Sequence, residues 1–121
     1  MRNKLENIKV LVCGGRNFDD YDYLADKLDA LDGRYALDEI IQGEARGADA
    51  LAERWAKLRA VKCTGFRAEW STYGRRAGPL RNLRMLQEGQ RDLVVAFAGG
   101  KGTANMISQA KAAGVRVINY A

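Results

Sequence analysis

The segment DLVVAFAGGKGTANMISQAKAAG, residues 92–114, decides the fold of this chain. It opens with DLVVAF at Asp92–Phe97, a short apolar run whose β-branched residues predict a buried strand. The run GGKGT follows at Gly99–Thr103, and a helical pattern then continues to Gly114. Strand, glycine turn and helix N-terminus are typical of a phosphate site, because glycines admit an anion and free N–H groups point at it. The segment therefore predicts an α/β fold that binds a phosphate-bearing small molecule.

Strand and helix patterns alternate on the N-terminal side of this segment as well. Five strands are predicted, at Ile8–Cys13, Asp38–Gly43, Lys62–Ala68, Leu93–Phe97 and Val115–Tyr120. Four helices are predicted at about 20–32, 48–60, 80–88 and 103–113, with Gly33 ending the first and Pro79 opening the third. We therefore predict a single Rossmann-like, doubly wound α/β domain over residues 1–121. Its five-stranded, mainly parallel sheet has the order 3-2-1-4-5, with helices on both faces.

That strand order predicts where a ligand binds. The first and fourth strands lie side by side at the switch point of the sheet, where open α/β folds bind ligands. The two strongest glycine turns, Gly14–Gly15 and Gly99–Gly102, follow these two strands. The residues expected to bind the phosphate-bearing ligand are Gly14, Gly15, Arg16, Gly43, Arg46, Arg81, Asn82, Gly99, Gly100, Gly102 and Thr103.

Several polar residues near this edge have two interpretations. Arg16 either pairs with a phosphate or is simply solvated, and Asp49 either bonds a ribose hydroxyl or caps the second helix. Thr103 is expected as a helix N-cap whose hydroxyl can bond phosphate instead. Arg81 follows a Gly-Pro break and is expected in the site, whereas Arg84 is expected to pair on the surface.

The composition limits the chemistry that the chain can perform. Its 121 residues contain no histidine, which excludes serine–histidine and cysteine–histidine catalysis and histidine-ligated metals. Acid–base catalysis would need Asp, Glu, Lys or Tyr side chains, and Glu44 and Asp49 are weak catalytic candidates. Cys13 and Cys63 lack metal-ligand spacing and are expected as free thiols, with a reactive Cys13 as the alternative. We expect neither a metal nor a cofactor.

Charge and hydropathy indicate the partners and the compartment. The net charge of +5 favours an anionic partner but does not separate a nucleotide from a nucleic acid. No apolar run is long enough to span a bilayer, and the N-terminus lacks a signal-peptide pattern. We therefore expect a cytoplasmic protein that has no membrane association.

Four stretches of the chain resemble the SLOG superfamily, which includes the Lonely Guy enzymes and the DNA-processing protein DprA/Smf. They are CGGRNFDD at 13–20, GEARGADALAERWA at 43–56, GPLRNLRML at 78–86 and AFAGGKGTANM at 96–106. The match is strongest to the YspA/cpYpsA-related branch of small bacterial and phage proteins. This resemblance implies a Rossmann-like fold, a nucleotide or nucleotide-derived ligand, self-association, and ligand sensing or processing in bacterial and phage conflict.

The glycine motif departs from the Lonely Guy pattern at two positions. In that branch PGGxGTxxE binds phosphate, and its glutamate helps to cleave a ribosyl–base bond. Here Ala98 replaces the proline and Met106 replaces the glutamate. Met106 is expected to pack in the core, and a methionine cannot act as acid or base. The chain is therefore predicted to bind or sense a nucleotide without cleaving it.

Two alternatives stay open. Cleavage of an N-glycosidic or phosphoribosyl bond would need Glu44 or Asp49 in place of the missing glutamate. Single-stranded DNA binding, which the DprA resemblance and the positive charge favour, would use Trp70 and Tyr73 as stacking aromatics beside a pair of arginines at 75–76. Trp70 belongs equally well to the core in the sequence pattern.

Overall fold

Five strands form one all-parallel sheet in the computed structural model, which describes residues 7–121. The strands are β1 Ile8–Cys13, β2 Leu37–Gln42, β3 Lys62–Gly65, β4 Leu93–Ala96 and β5 Val117–Asn119. Their order across the sheet is β3-β2-β1-β4-β5, and every pair is parallel. The predicted strand order and Rossmann-like fold class are confirmed. The single domain predicted over 1–121 and the absent signal peptide also involve residues 1–6, which lie outside the described residues.

Helices cover both faces of the sheet. They are α1 Tyr21–Tyr35, α2 Ala48–Leu58, the short α3 Trp70–Tyr73, α4 Ala77–Glu88 and α5 Lys101–Ala112, with a 3-10 turn at Gly74–Arg76 between α3 and α4. The first two pack on one face and α4 and α5 on the other, so two separate apolar layers enclose the sheet. Among the helices of residues 7–121, none is both long and apolar enough to cross a membrane.

Alternation along the central strands supplies both layers. Val10 and Val12 of β1 point to the layer under α1 and α2, whereas Leu11 and Cys13 point to the layer under α4 and α5. Strands that are covered on both faces need apolar side chains at nearly every position, which explains the continuous run in β1. The layer under α1 and α2 also contains Trp55, which is fully buried.

The predicted end of the first helix and the predicted start of the third are wrong. Helix α1 continues through Gly33 to Tyr35, and the N–H of its C-cap Ala36 donates to the carbonyl of Asp32 at 2.9 Å. The extra turn brings Tyr35 against the core. Helix α4 begins at Ala77, three residues before the predicted start at Leu80, and Pro79 lies in its first turn, as predicted. The proline is tolerated there because the first four N–H groups of a helix have no intrahelical partner.

The start of α5 also differs from the prediction. Gly100 is the N-cap and Lys101 is the first helical residue, so the prediction of Thr103 as the cap is wrong. Thr103 instead lies buried within the first turn. The glycine turn is therefore shorter than expected, and the helix begins closer to the end of β4.

Candidate functional site

A cavity of about 260 Å³ opens at the carboxyl ends of β1 and β4, at the switch point of the sheet. It is enclosed by the turn after β1, the start of α2, the first half of α4 and the start of α5. Its walls contain most of the predicted site residues, namely Gly14, Gly15, Arg16, Asp49, Arg81, Asn82, Gly100, Gly102 and Thr103. We refer to it as the rim cavity.

The glycines after β1 make room for protein neighbours. A Cβ on Gly14 would lie 2.5 Å from the Cβ of Ala48, and one on Gly15 would lie 2.9 Å from the carbonyl oxygen of Ala98. The Gly15 N–H donates to that same carbonyl at 2.8 Å, and the Gly15 carbonyl accepts from the Ala48 N–H at 3.1 Å. These contacts join the start of α2 to the turn after β4. Both glycines line the cavity, and their lack of a side chain lets its walls close together.

The first turn of α5 lines the cavity with backbone donors that have no hydrogen-bond partner within residues 7–121. A Cβ on Gly100 or Gly102 would meet nothing within 4 Å, so both positions face open space. The helix ladder begins where the Ala104 N–H donates to the Gly100 carbonyl at 3.0 Å. The N–H groups before Ala104 have no acceptor in the helix, and the first turn carries no acidic residue. This arrangement suits an anion, because free donors and the helix dipole both favour negative charge.

Arg81 places a half-buried cation in the same cavity. Its Nη1 donates to the Gly43 carbonyl at 2.5 Å and its Nε donates to Asn82 Oδ1 at 3.0 Å. A guanidinium has five N–H donors, so these bonds within the described residues leave three for a ligand. Burial lowers the pKa of Arg81, and the nearby carboxylate of Asp49 opposes that effect. Within residues 7–121 Arg81 forms no ion pair, which leaves its charge available to an anion.

Asn82 holds α4 against α5. Its Nδ2 donates to the Gly102 carbonyl at 3.3 Å and to Asn105 Oδ1 at 3.0 Å, while its Oδ1 accepts from Arg81. Gln109 extends the chain of bonds by donating to Asn105 Oδ1 at 2.7 Å. Asn82 is buried, and its polar atoms are occupied by protein partners. It therefore orients the Arg81 guanidinium and fixes the start of α5.

Asp49 brings a carboxylate into the wall of the cavity. The residue is only 6% exposed, and its Oδ2 accepts from the Ala45 N–H at 3.2 Å. Burial raises the pKa of Asp49 to about 6, although that hydrogen bond and the charges of Arg81 and Arg16 lower it. The N-cap of α2 is Gly47, so the helix-capping alternative for Asp49 is wrong.

Cys13 also lines the cavity, but it is not an activated thiol. Burial, with a smaller contribution from the charge of Asp49, raises its pKa to about 12. The thiol is therefore protonated near neutral pH, which argues against the reactive Cys13 considered from the sequence. Cys13 and Cys63 are both free cysteines.

The structure does not bring every predicted residue into the rim cavity. Glu44 is exposed, lies 3.9 Å from Arg67 and lines a smaller adjoining cavity of about 220 Å³ together with Gly43. Arg46 is exposed and lines neither cavity. Gly99 lines a third cavity on the α1 side, of about 570 Å³. The orientation of a loop side chain depends on its tertiary contacts, which the periodicity of the sequence does not predict.

Met106 occupies the core, as predicted. It is 1% exposed and packs in the layer between the sheet and α4 and α5. The position that carries glutamate in the Lonely Guy motif therefore supplies no acid to the cavity.

Trp70 lies on the surface beside the cavity, so the alternative that places it in the core is wrong. The residue is 47% exposed. The guanidinium carbon of Arg16, which lines the rim cavity, lies 5.4 Å from the centre of its ring. Tyr73 is also exposed, at 42%. Its neighbour Arg75 and the rest of the 3-10 turn are exposed as well.

Comparison with known proteins shows the family to which the chain belongs. The chain matches the family described as YspA, cpYpsA-related SLOG over residues 8–73, which is more than half of its length. The chain belongs to the YspA, cpYpsA-related SLOG family. The matched region of this SLOG chain runs from β1 through α3 and includes Asp49 and the turn after β1.

A phage relative extends the similarity to the rest of the SLOG chain. The Gene 61 protein of Mycobacterium phage D29 is 38% identical over 125 residues, covering 93% of this chain and 95% of the relative. No solved structure gave a significant match.

Proposed function

We propose that this SLOG chain binds a nucleotide or a nucleotide-derived ligand, with the phosphate of the ligand at the start of α5. One observation carries the proposal: the first turn of α5 and the Arg81 guanidinium, which forms no ion pair within residues 7–121, line one cavity at the switch point. A pair of Arg81 donors and the N–H groups of the first helical turn would bind the phosphate. Family membership supports a nucleotide-related ligand.

Asp49 would contact the sugar of such a ligand. Its buried carboxylate is in the same cavity wall as Arg16, and a carboxylate accepts hydrogen bonds from ribose hydroxyls. A carboxylate close to a phosphate weakens phosphate binding by repulsion. A hydrogen bond to a ribose hydroxyl would offset this cost, and it explains why Asp49 lies in the cavity wall. Arg16 would supply further positive charge at the cavity wall.

Binding without cleavage is the function that the residues favour. Met106 lies in the core, and among residues 7–121 the acids that line the rim cavity and the adjoining cavity are Asp49 and the exposed Glu44. The second candidate is cleavage of an N-glycosidic bond, and the raised pKa of Asp49 is the observation that favours it. Incubating the protein with nucleoside monophosphates and measuring free base by chromatography separates the two. If the wild type releases base and Asp49→Asn does not, the function is cleavage and not sensing.

The setting that we propose is the cytoplasm of a bacterial cell during bacterial and phage conflict. The phage D29 relative supports this setting. A sensor of this kind would act by passing its ligand state to a partner or to a second copy of itself, so self-association is part of the proposal.

Thermal shift against nucleotides, ADP-ribose species and cyclic nucleotides tests the proposal, with Gly100→Asp as the decisive variant. The new carboxylate would stand in open space at the start of α5, where it repels a phosphate while the fold has room for it. Gly33→Asp is the matched control, because it adds the same group in open space on α1, away from the cavity. We expect stabilisation in the wild type and in Gly33→Asp, and none in Gly100→Asp. Equal stabilisation of all three proteins would contradict the proposed site.

A further inference from the structure

The rim cavity lies next to the adjoining cavity beside β3. Arg81 and Ala45 line both cavities, so the two spaces meet at the side chain that would hold the phosphate. The adjoining cavity measures about 220 Å³, and Trp70 and Ala68 form its apolar part. The side chain that would anchor the phosphate therefore also borders a second, partly aromatic space.

The indole of Trp70 is held in place and still presents aromatic surface. A Cβ on Gly78 would lie 3.3 Å from Trp70 Cη2, so the edge of the ring rests against the start of α4. The guanidinium of Arg16 lies over the ring at 5.4 Å. Nearly half of the residue nevertheless remains exposed. An exposed indole that is held at its edge is a surface on which a planar base stacks.

Polar groups at the edge of the adjoining cavity complement this surface. Glu44 and Arg67 line it, with Arg67 Nε 3.9 Å from Glu44 Oε1. A carboxylate accepts hydrogen bonds from the amino group of a base, and a guanidinium donates to ring nitrogens and carbonyl oxygens. Glu44, which lies outside the rim cavity, thereby has a role at the edge of a stacked base.

We propose that Trp70 stacks the base of the ligand in the adjoining cavity, so that the protein recognises a nucleotide and discriminates against a sugar phosphate. This inference rests on the proposed function, because the phosphate must be bound at α5 for the base to reach Trp70. It assigns the specificity of the site to an indole outside the phosphate-binding turns.

Calorimetric titration of the four nucleoside monophosphates and of ribose 5-phosphate tests this inference. We expect the wild type to bind at least one nucleotide about tenfold more tightly than ribose 5-phosphate. Trp70→Leu should lose this preference and keep its affinity for ribose 5-phosphate, and Trp70→Phe should restore most of the preference. Tyr73→Leu is the matched control, since Tyr73 is an exposed aromatic of the same short helix that lines none of these cavities, and it should behave like the wild type.

Tryptophan fluorescence gives an independent readout. The sequence contains two tryptophans, and Trp55 is fully buried under α1 and α2. A stacked nucleotide should therefore quench the Trp70 emission of the wild type, and ribose 5-phosphate should not. In Trp70→Phe the remaining Trp55 emission should not respond to either ligand.

The outcomes separate the two proposals. Equal wild-type affinities for nucleotides and ribose 5-phosphate, or a preference that survives in Trp70→Leu, would overturn the stacking role and leave the phosphate site intact. If Trp70→Leu binds neither nucleotides nor ribose 5-phosphate while Tyr73→Leu binds both, the stacking role is also overturned, because Trp70 would then support the cavity as a whole. Absence of binding by any of these phosphates in the wild type would refute the proposed function itself. If a single-stranded oligonucleotide quenches the Trp70 emission and no mononucleotide does, Trp70 binds nucleic acid, and both proposals are overturned.

Discussion

Asp49 holds a buried carboxylate next to two arginines without forming an ion pair within the described part of the chain. Burial of a charge costs free energy, and the hydrogen bond from Ala45 offsets only part of that cost. A side chain that lowers the stability of the fold and faces a cavity is typical of a functional site. The sequence placed Asp49 at the correct edge of the sheet, but its burial depends on how α2 packs against the turn after β1.

Asp49→Asn should change how stability depends on pH. The pKa of the folded state is raised from 3.8 to about 6, so the folded protein holds more protons than the unfolded chain between these values. The contribution of Asp49 to stability should therefore be largest below pH 4 and fall by on the order of 3 kcal/mol as the pH rises through 6. Asparagine does not titrate, so the variant should lack this loss. Urea unfolding from pH 4 to pH 7 measures it, and parallel profiles for the two proteins would contradict the raised pKa.

Arg81→Lys should weaken phosphate binding although it preserves the charge. Lysine cannot donate simultaneously to Gly43, to Asn82 and to a phosphate in the planar geometry of a guanidinium. We expect an affinity loss of about tenfold or more, measured by calorimetry with the best nucleotide. Arg84→Lys is the control on the same helix, because Arg84 is exposed and pairs with Glu88 at 3.4 Å. Equal losses of affinity in the two variants would contradict a specific role of the Arg81 guanidinium.

At the scale of secondary-structure elements, the site depends on where α4 and α5 begin. Alternating apolar runs and glycine turns predicted all five strands and the four longer helices. The exact start of α5 was not predictable, because Asn82 and the close packing around Gly99 fix it through contacts between distant segments. Sequence periodicity describes a buried face, whereas helix ends depend on such tertiary bonds.

Gly33→Ala should stabilise the protein by about 0.5–1 kcal/mol. Gly33 lies inside α1, and an added Cβ would meet nothing within 4 Å, so alanine gains helix propensity at no steric cost. Chemical denaturation measures the change. Gly14→Ala is the opposite case and should destabilise by about 1–3 kcal/mol, because its Cβ would lie 2.5 Å from that of Ala48. Destabilisation by Gly33→Ala would contradict the continuation of α1 through this residue.

At the scale of the whole molecule, the strand order creates the site. Helices α1 and α2 pack on one face and α4 and α5 on the other, and the chain changes faces between β1 and β4. The crevice left at that point gathers groups from the turn after β1, from α2, from α4 and from α5. The sequence predicted this crevice from the strand order and the two glycine turns. It did not predict the second space beside Trp70, because that space depends on how α3 packs against the start of α4.

Amide chemical shifts provide the most direct test of the phosphate site in this 13.4 kDa chain. The protein would be labelled with ¹⁵N and titrated with the nucleotide that binds best. The account predicts that the largest changes fall on the amides of Gly102 and Thr103 and on the Arg81 side chain, and that Gly100→Asp abolishes them. Changes confined to α1 or to the exposed arginines of the 3-10 turn, or changes that survive in Gly100→Asp, would contradict the account.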